Sequence, residues 1–188
     1  MTRALIIISS IILLSASLVS GAKIKNVEIA DTIEKQGEKL ILNGLGIRKK
    51  FGFSVYVGSL YLKSKTSDSK SITNADEPMC ITMSWMRNVS AKKANAVLAD
   101  GFKYSAKDNY ANIKTEIETF LSLTPKVQKK DVWTLLYIPN TGTQILHNDK
   151  LVKTIKGLEF KKALFGIWIL EDDMFTGDKN LRDKMLGK

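Results

Sequence analysis

The chain changes its hydrophobic period three times, and that order fixes the fold class. Strand-like runs come first. Residues 27–33 alternate apolar and polar side chains, residues 39–47 and 51–62 follow, and residues 79–86 form a fourth run. The middle is helical. Ser90 is an N-cap ahead of Ala94, Val97, Leu98, Gly101, Phe102 and Ser105 at helical spacing. Asn112 is expected to cap a second helix with Ile113, Ile117, Phe120 and Leu121 on its face, ended at Pro125. Strands return at 131–138, 143–146 and 151–155, separated by the turn residues 139–142 and 147–150. Two helices close the chain. Phe160, Ala163, Leu164, Ile167 and Trp168 make a wide apolar face, and Asp178 caps a short helix carrying Leu181, Met185 and Leu186, with Gly187 beyond its end. Strands, helices, strands and helices in that order predict an α+β domain. One antiparallel sheet carries helices on one face, and its other face is free to bind a partner or meet water.

The first residues bear on compartment. Arg3 precedes an apolar run over 4–19, and Ser20, Gly21 and Ala22 supply the small residues of a cleavage site. The run is shorter than the roughly 20 strongly apolar residues of a membrane span. Residues 1–22 therefore read as a secretory signal, removed before Lys23, and residues 23–188 as a single domain exported to the periplasm of a bacterium. Only residues 64–71 look loose, too few to divide domains. Cys80 is the only cysteine, so no internal disulfide forms, and its apolar neighbours assign it the role of a small buried hydrophobe.

The formal net charge is +10, or nine once Arg3 leaves with the signal. Such a surface favours anionic neighbours such as lipid head groups, so peripheral contact with an anionic membrane surface is an expectation. Nucleic acid is not expected as a partner, because the lysines are scattered rather than gathered on one helix, and export argues against it.

Arg48 is the residue most suggestive of a site. It ends the run Asn43-Gly44-Leu45-Gly46-Ile47-Arg48, with a turn expected near Lys49 and Lys50 before the next strand. Its guanidinium stays charged and offers a rigid fork of donors. Beside an apolar strand bearing tyrosines, it suits an acidic or carbonyl head group whose tail lies in an apolar cleft. An arginine at a hairpin corner, with its head in water and its stem on the sheet, fits the local pattern too. In the following strand Phe51, Phe53, Val55 and Val57 share a face, and the phase slips at Gly58 and Ser59, which suggests a bulge there.

Several stretches together resemble the bacterial chalcone-isomerase-like proteins. They are residues 43–51, Val55-Tyr56-Val57, Leu60-Tyr61-Leu62, residues 129–135, Tyr137-Ile138-Pro139, Gly142-Thr143, Gly157, Phe160, residues 163–168 and the final helix. The resemblance covers nearly all of residues 23–188. It implies an open-faced β-sandwich, a large antiparallel sheet under a layer of helices. It also implies one of two roles: cyclisation of a phenolic enone, as in plant chalcone isomerases, or non-catalytic binding of a fatty acid through an arginine and a tyrosine. Arg48 matches the family arginine. Tyr56 stands where the enzymes carry a catalytic threonine. Tyr104-Ser105-Ala106-Lys107 is similar to a Tyr-Ser-x-Lys helix of the enzymes, with Asn109 nearby at a different spacing. Tyr104 reads equally as a surface residue of an amphipathic helix. Ile169-Leu170-Glu171 departs from a Leu-Gly-Asp turn of many relatives.

Other chemistries find little support. His147 is the only histidine and is expected in a solvated turn, so neither a zinc site nor a serine–histidine hydrolase is expected. Asp172 and Asp173 are adjacent and read as loop residues. Gly44 and Gly46 lack the rest of a phosphate-binding loop, and no cofactor is expected. The leading expectation is a non-catalytic binding protein for a small apolar acid, with Arg48 and Tyr56 at the head group and Tyr104 and Asn109 near it. An intramolecular lyase on a phenolic ligand, using Arg48, Tyr56 and Tyr104, is the alternative. An interaction module presenting the Trp168 helix and the basic surface is a third.

Overall fold

The computed structural model describes residues 21–170 and 178–188. Of the signal expected at 1–22 only Gly21 and Ala22 are described, and the departure at Glu171 and the Asp172-Asp173 pair lie outside the described residues. Among the described residues nine strands and five α-helices follow in the order β1 (Gly21–Ile24), β2 (Val27–Ala30), β3 (Thr32–Lys35), β4 (Glu38–Lys50), β5 (Phe53–Leu62), α1 (Ser69–Asn74), β6 (Met79–Trp85), α2 (Ala91–Ala106), α3 (Lys114–Ser122), β7 (Val132–Ile138), β8 (Gly142–His147), β9 (Lys150–Ile155), α4 (Leu158–Ile169) and α5 (Lys179–Met185). Strands β3 to β9 form one antiparallel sheet in sequence order, and β1 and β2 pair separately as a hairpin. The expected α+β, open-faced architecture is present, and β1 begins two residues before the expected cleavage point.

Alternation along the strands divides the apolar side chains between two cores. Met79, Ile81, Met83 and Trp85 of β6 face the helices, where they meet Phe102 of α2 and Phe160, Leu164 and Phe165 of α4. On the opposite face Val57, Tyr61, Cys80 and Leu136 meet Ile29 of the β1–β2 hairpin. The second face is thus partly roofed rather than free, and the Tyr61 hydroxyl donates to the Ala30 carbonyl at 3.0 Å. Cys80 is fully buried, and burial pushes its thiol up to about 12.

Several local expectations shift. The first run divides into β2 and β3. The loose stretch ends in a helix, because Asp68 caps α1 by accepting from the Lys70 and Ser71 N–H groups. Ile113, not Asn112, precedes α3, and a 3-10 turn at Lys107–Asn109 comes before it. The β4–β5 turn sits at Phe51 and Gly52, both with positive φ (49° and 77°), rather than at Lys49 and Lys50. The break in β5 register falls at Val55, since Arg48 pairs with Tyr56 while Lys49 pairs with Ser54. Beyond it, Tyr56, Gly58, Leu60 and Leu62 face the helices without a slip, so the bulge stands at Val55 and not at Gly58-Ser59.

Helix α4 is buried almost all round, Lys161 included. The Lys161 ammonium donates to the Ile72, Thr73 and Ala75 carbonyls at 3.1, 2.9 and 2.7 Å, and so satisfies the open C-terminal end of α1.

Candidate functional site

The site is built on a track of missing side chains. Gly44 and Gly46 of β4 and Gly58 of β5 face α5. A Cβ on Gly44 would stand 2.1 Å from the Lys184 carbonyl oxygen, and on Gly58 it would stand 3.1 Å from Leu181 Cδ1. Glycine here admits a helix backbone directly onto the sheet. Both ends of α5 are pinned to the same strand. Asn43 falls at a register shift in β4, and its side chain donates to the Met185 carbonyl at 2.9 Å and accepts from the Thr66 N–H at 2.9 Å. At the other end Asp178 caps α5 through the Leu181 N–H, accepts from the Lys49 N–H at 2.9 Å, and lies 3.5 Å from Arg48 Nη1. The residues that drew attention in the sequence, 43 to 48, thus seat the last helix.

Arg48 and Tyr56 are directly opposed across β4 and β5, and Tyr56 is in turn opposed to Trp85 of β6. The Tyr56 and Trp85 rings meet edge to face at 5.0 Å. The Tyr56 oxygen accepts from Trp168 Nε1 of α4 at 2.9 Å. Burial raises the Tyr56 pKa, against the opposing pull of the Trp168 hydrogen bond and the Arg48 charge. The phenol is therefore neutral, and its proton remains to be donated. The Arg48 side chain is about one-fifth exposed and its Asp178 partner less.

These groups lie on the wall of a cavity of about 750 Å³ between one end of the sheet and α2, α4 and α5. Met83, Leu98, Val127, Trp133, Ile167 and Leu181 supply apolar wall. Among the described lining residues, Arg48, Lys50, Arg87, Lys93, Lys179 and Arg182 carry positive charge, and Asp178 alone is acidic. Three lining residues hold buried polar atoms without a partner: Trp85 Nε1, Trp133 Nε1 and Thr124 Oγ1.

Arg48 and Tyr56 come together as lining residues; Tyr104 and Asn109 do not join them. Tyr104 lies two positions beyond the buried Phe102, about 200° round α2, and points outward. Asn109 donates to Glu159 at 3.0 Å, away from the cavity. His147 ends β8 opposite Lys150 rather than lying in the turn, with Nε2 3.1 Å from Asp131 Oδ2. Sequence reading missed Trp168 as the partner of Tyr56 and Asp178 as the partner of Arg48. Both are distant in sequence, and each had a local explanation, as core tryptophan and helix cap. Among the described residues no three His, Cys, Asp or Glu side chains gather as metal ligands.

Taken together, the sheet, its helical cover and the polar pair on an apolar wall define a cavity-bearing open-faced β-sandwich. The sequence profile of the chalcone isomerase-like family matches residues 21–187, and the chain belongs to that family. The solved structure of a fatty-acid binding protein from Arabidopsis thaliana shares the fold, with a TM-score of 0.63 at 14% identity over 82% of this chain and 95% of the other. No curated protein matches the chain in sequence.

Proposed function

We propose that this chain is a non-catalytic binding protein for a small apolar acid of fatty-acid type, exported after loss of residues 1–22. The observation that carries the reading is the Tyr56 phenol. Its oxygen is engaged by Trp168, its pKa is raised, and its proton is available beside the Arg48 guanidinium on an apolar cavity wall. A carboxylate there accepts from Tyr56 and from guanidinium N–H groups that Asp178 leaves open, since Arg48 has five. The cavity volume lies within the roughly 300–1,000 Å³ of small-molecule sites. The Arabidopsis protein of the same fold is itself a fatty-acid binding protein.

Native mass spectrometry of the purified chain tests this. A retained fatty acid is expected, and Arg48→Ala is expected to lose it. No adduct in either sample, or equal retention by both, overturns the reading. Incubation with a chalcone separates binding from lyase activity, and no loss of substrate absorbance above the spontaneous rate is expected.

A further inference from the structure

The tip of the β4–β5 hairpin carries two costs that the fold does not repay. Phe51 is 87% exposed and Phe53 64% exposed. Phe51 also holds φ at 49°, in a two-residue turn whose first position favours Asn, Asp or Gly and disfavours an aromatic. A fold under selection for stability alone would place neither ring there. Both rings, with the half-exposed Val97 of α2, stand at the rim of the cavity.

Among the described residues the side-chain charges at the tip are positive, and Asp178, which accepts from the Lys49 N–H, is the acidic group of the cavity lining. Lys50 Nζ lies 5.0 Å from the Phe51 ring centroid, and the Arg87 guanidinium 5.3 Å from that of Phe53. Lys49 is exposed beside them, Lys93 lies across the rim, and Lys25 reaches Ser54 at 2.7 Å. Residues 48–56 and 85–97 contain no acidic side chain. Aromatic rings flanked by these cations match the boundary of an anionic bilayer, where rings enter the acyl region and lysine and arginine meet the head groups.

We propose that the Phe51–Phe53 tip inserts into an anionic lipid surface and holds the cavity mouth against the bilayer. The ring of cations draws the protein to the surface, and the two phenylalanines fix its orientation. The rim then faces the phase in which an apolar guest is dissolved. The proposal rests on the tip and its charges, not on the identity of the guest. It stands or falls separately from fatty-acid binding.

The test uses the full chain with Phe53→Cys carrying an environment-sensitive dye. Cys80 is fully buried, so the label goes to the tip. Leu151→Cys, exposed and close to Lys150 and Lys153 on the far edge strand, is the control in the same chain. With vesicles of equimolar phosphatidylcholine and phosphatidylglycerol, the tip label shifts to the blue and is quenched by nitroxide in the acyl chains, while the control label is not. Vesicles of phosphatidylcholine alone give little response. Replacing Lys50 or Arg87 by Glu weakens the tip response about five-fold or more per site. In the unlabelled chain, Phe51→Asn relieves the turn and raises Tm, yet in the tip-labelled chain it weakens insertion about ten-fold. Equal responses from both labels, no response from either, or insertion unchanged by Phe51→Asn overturns the proposal.

Discussion

Asp178 lies 3.5 Å from Arg48 Nη1 while its other oxygen caps α5, so one carboxylate fixes both the last helix and the cation of the cavity. The cation is partly neutralised before any ligand arrives. An incoming carboxylate competes with Asp178 for the same fork. Asp178→Asn keeps a good cap and removes the competing charge. We expect it to tighten fatty-acid binding a few-fold, and Arg48→Gln to weaken it about ten-fold, which is roughly the loss of one charge-assisted hydrogen bond. Titration calorimetry with a long-chain fatty acid decides the matter. Equal weakening in both variants would assign the pair to holding α5 alone.

Tyr56→Phe removes one oxygen with two uses. It takes away the acceptor for Trp168 Nε1, leaving a buried N–H unpaired, at a cost of about 1–2 kcal/mol in stability. It also removes the donor aimed at the head group, and we expect affinity for the acid to fall several-fold. The two effects are read separately, by urea denaturation and by ligand titration. Lost stability with unchanged affinity would leave the tyrosine a purely structural role.

The order of strands and helices was legible because each element carries its own period. Phe102, Ile117, Phe120, Phe160 and Leu164 all reach the core that periodicity predicted. The resemblance grouped Arg48 with Tyr56, but the turn expected near Lys49 and Lys50 would not have opposed them; only the turn at Phe51 and Gly52 sets them across β4 and β5. What failed depended on relations across the chain. Alternation sets Phe51 and Phe53 on one strand face with Val55 and Val57, yet the turn falls at Phe51 and leaves both rings in solvent. The Val55 bulge has no composition signal, and only pairing reveals it. Gly44 and Gly46 suggested nothing specific until α5 was found lying on them.

Gly44→Ala tests that contact. The new methyl group would overlap the Lys184 and Met185 carbonyl oxygens, at 2.1 and 2.7 Å, and backbone cannot step aside as a side-chain tip can. We expect a loss of about 2–3 kcal/mol and a displaced α5. Asp178 would shift with the helix, so ligand affinity should change too. Gly46→Ala, whose new Cβ lies 3.0 Å from Lys184 Cβ and 3.2 Å from Leu181 Cα, makes a milder overlap and should lose less. Urea midpoints for the two variants give the order, and the reverse order would show that α5 does not rest on β4 as described.

Lys161 gives the chain a pH signature. Burial lowers its pKa from 10.5 to about 8, while the Asp76 charge pulls the other way. Between those values the unfolded chain binds more protons than the folded one, so this lysine makes stability rise with pH from about 8 to 10.5 and fall as pH drops through 8. Other groups oppose it. Cys80 is raised from 9.0 to about 12, and Tyr56, Tyr61 and Tyr137 are raised above 10.0, so each keeps its proton longer when folded and lowers stability as pH climbs past its ordinary value. The rise is therefore cleanest between pH 8 and 9 and fades above. Lys161→Met leaves the Ile72, Thr73 and Ala75 carbonyls without their donor, so it should be less stable throughout, but it should also lose the upward slope. The difference in urea-derived stability between wild type and variant, followed from pH 7 to 10, isolates this one group. A difference that does not change with pH would mean that the ammonium holds its proton through this range, stabilised by its three carbonyl partners.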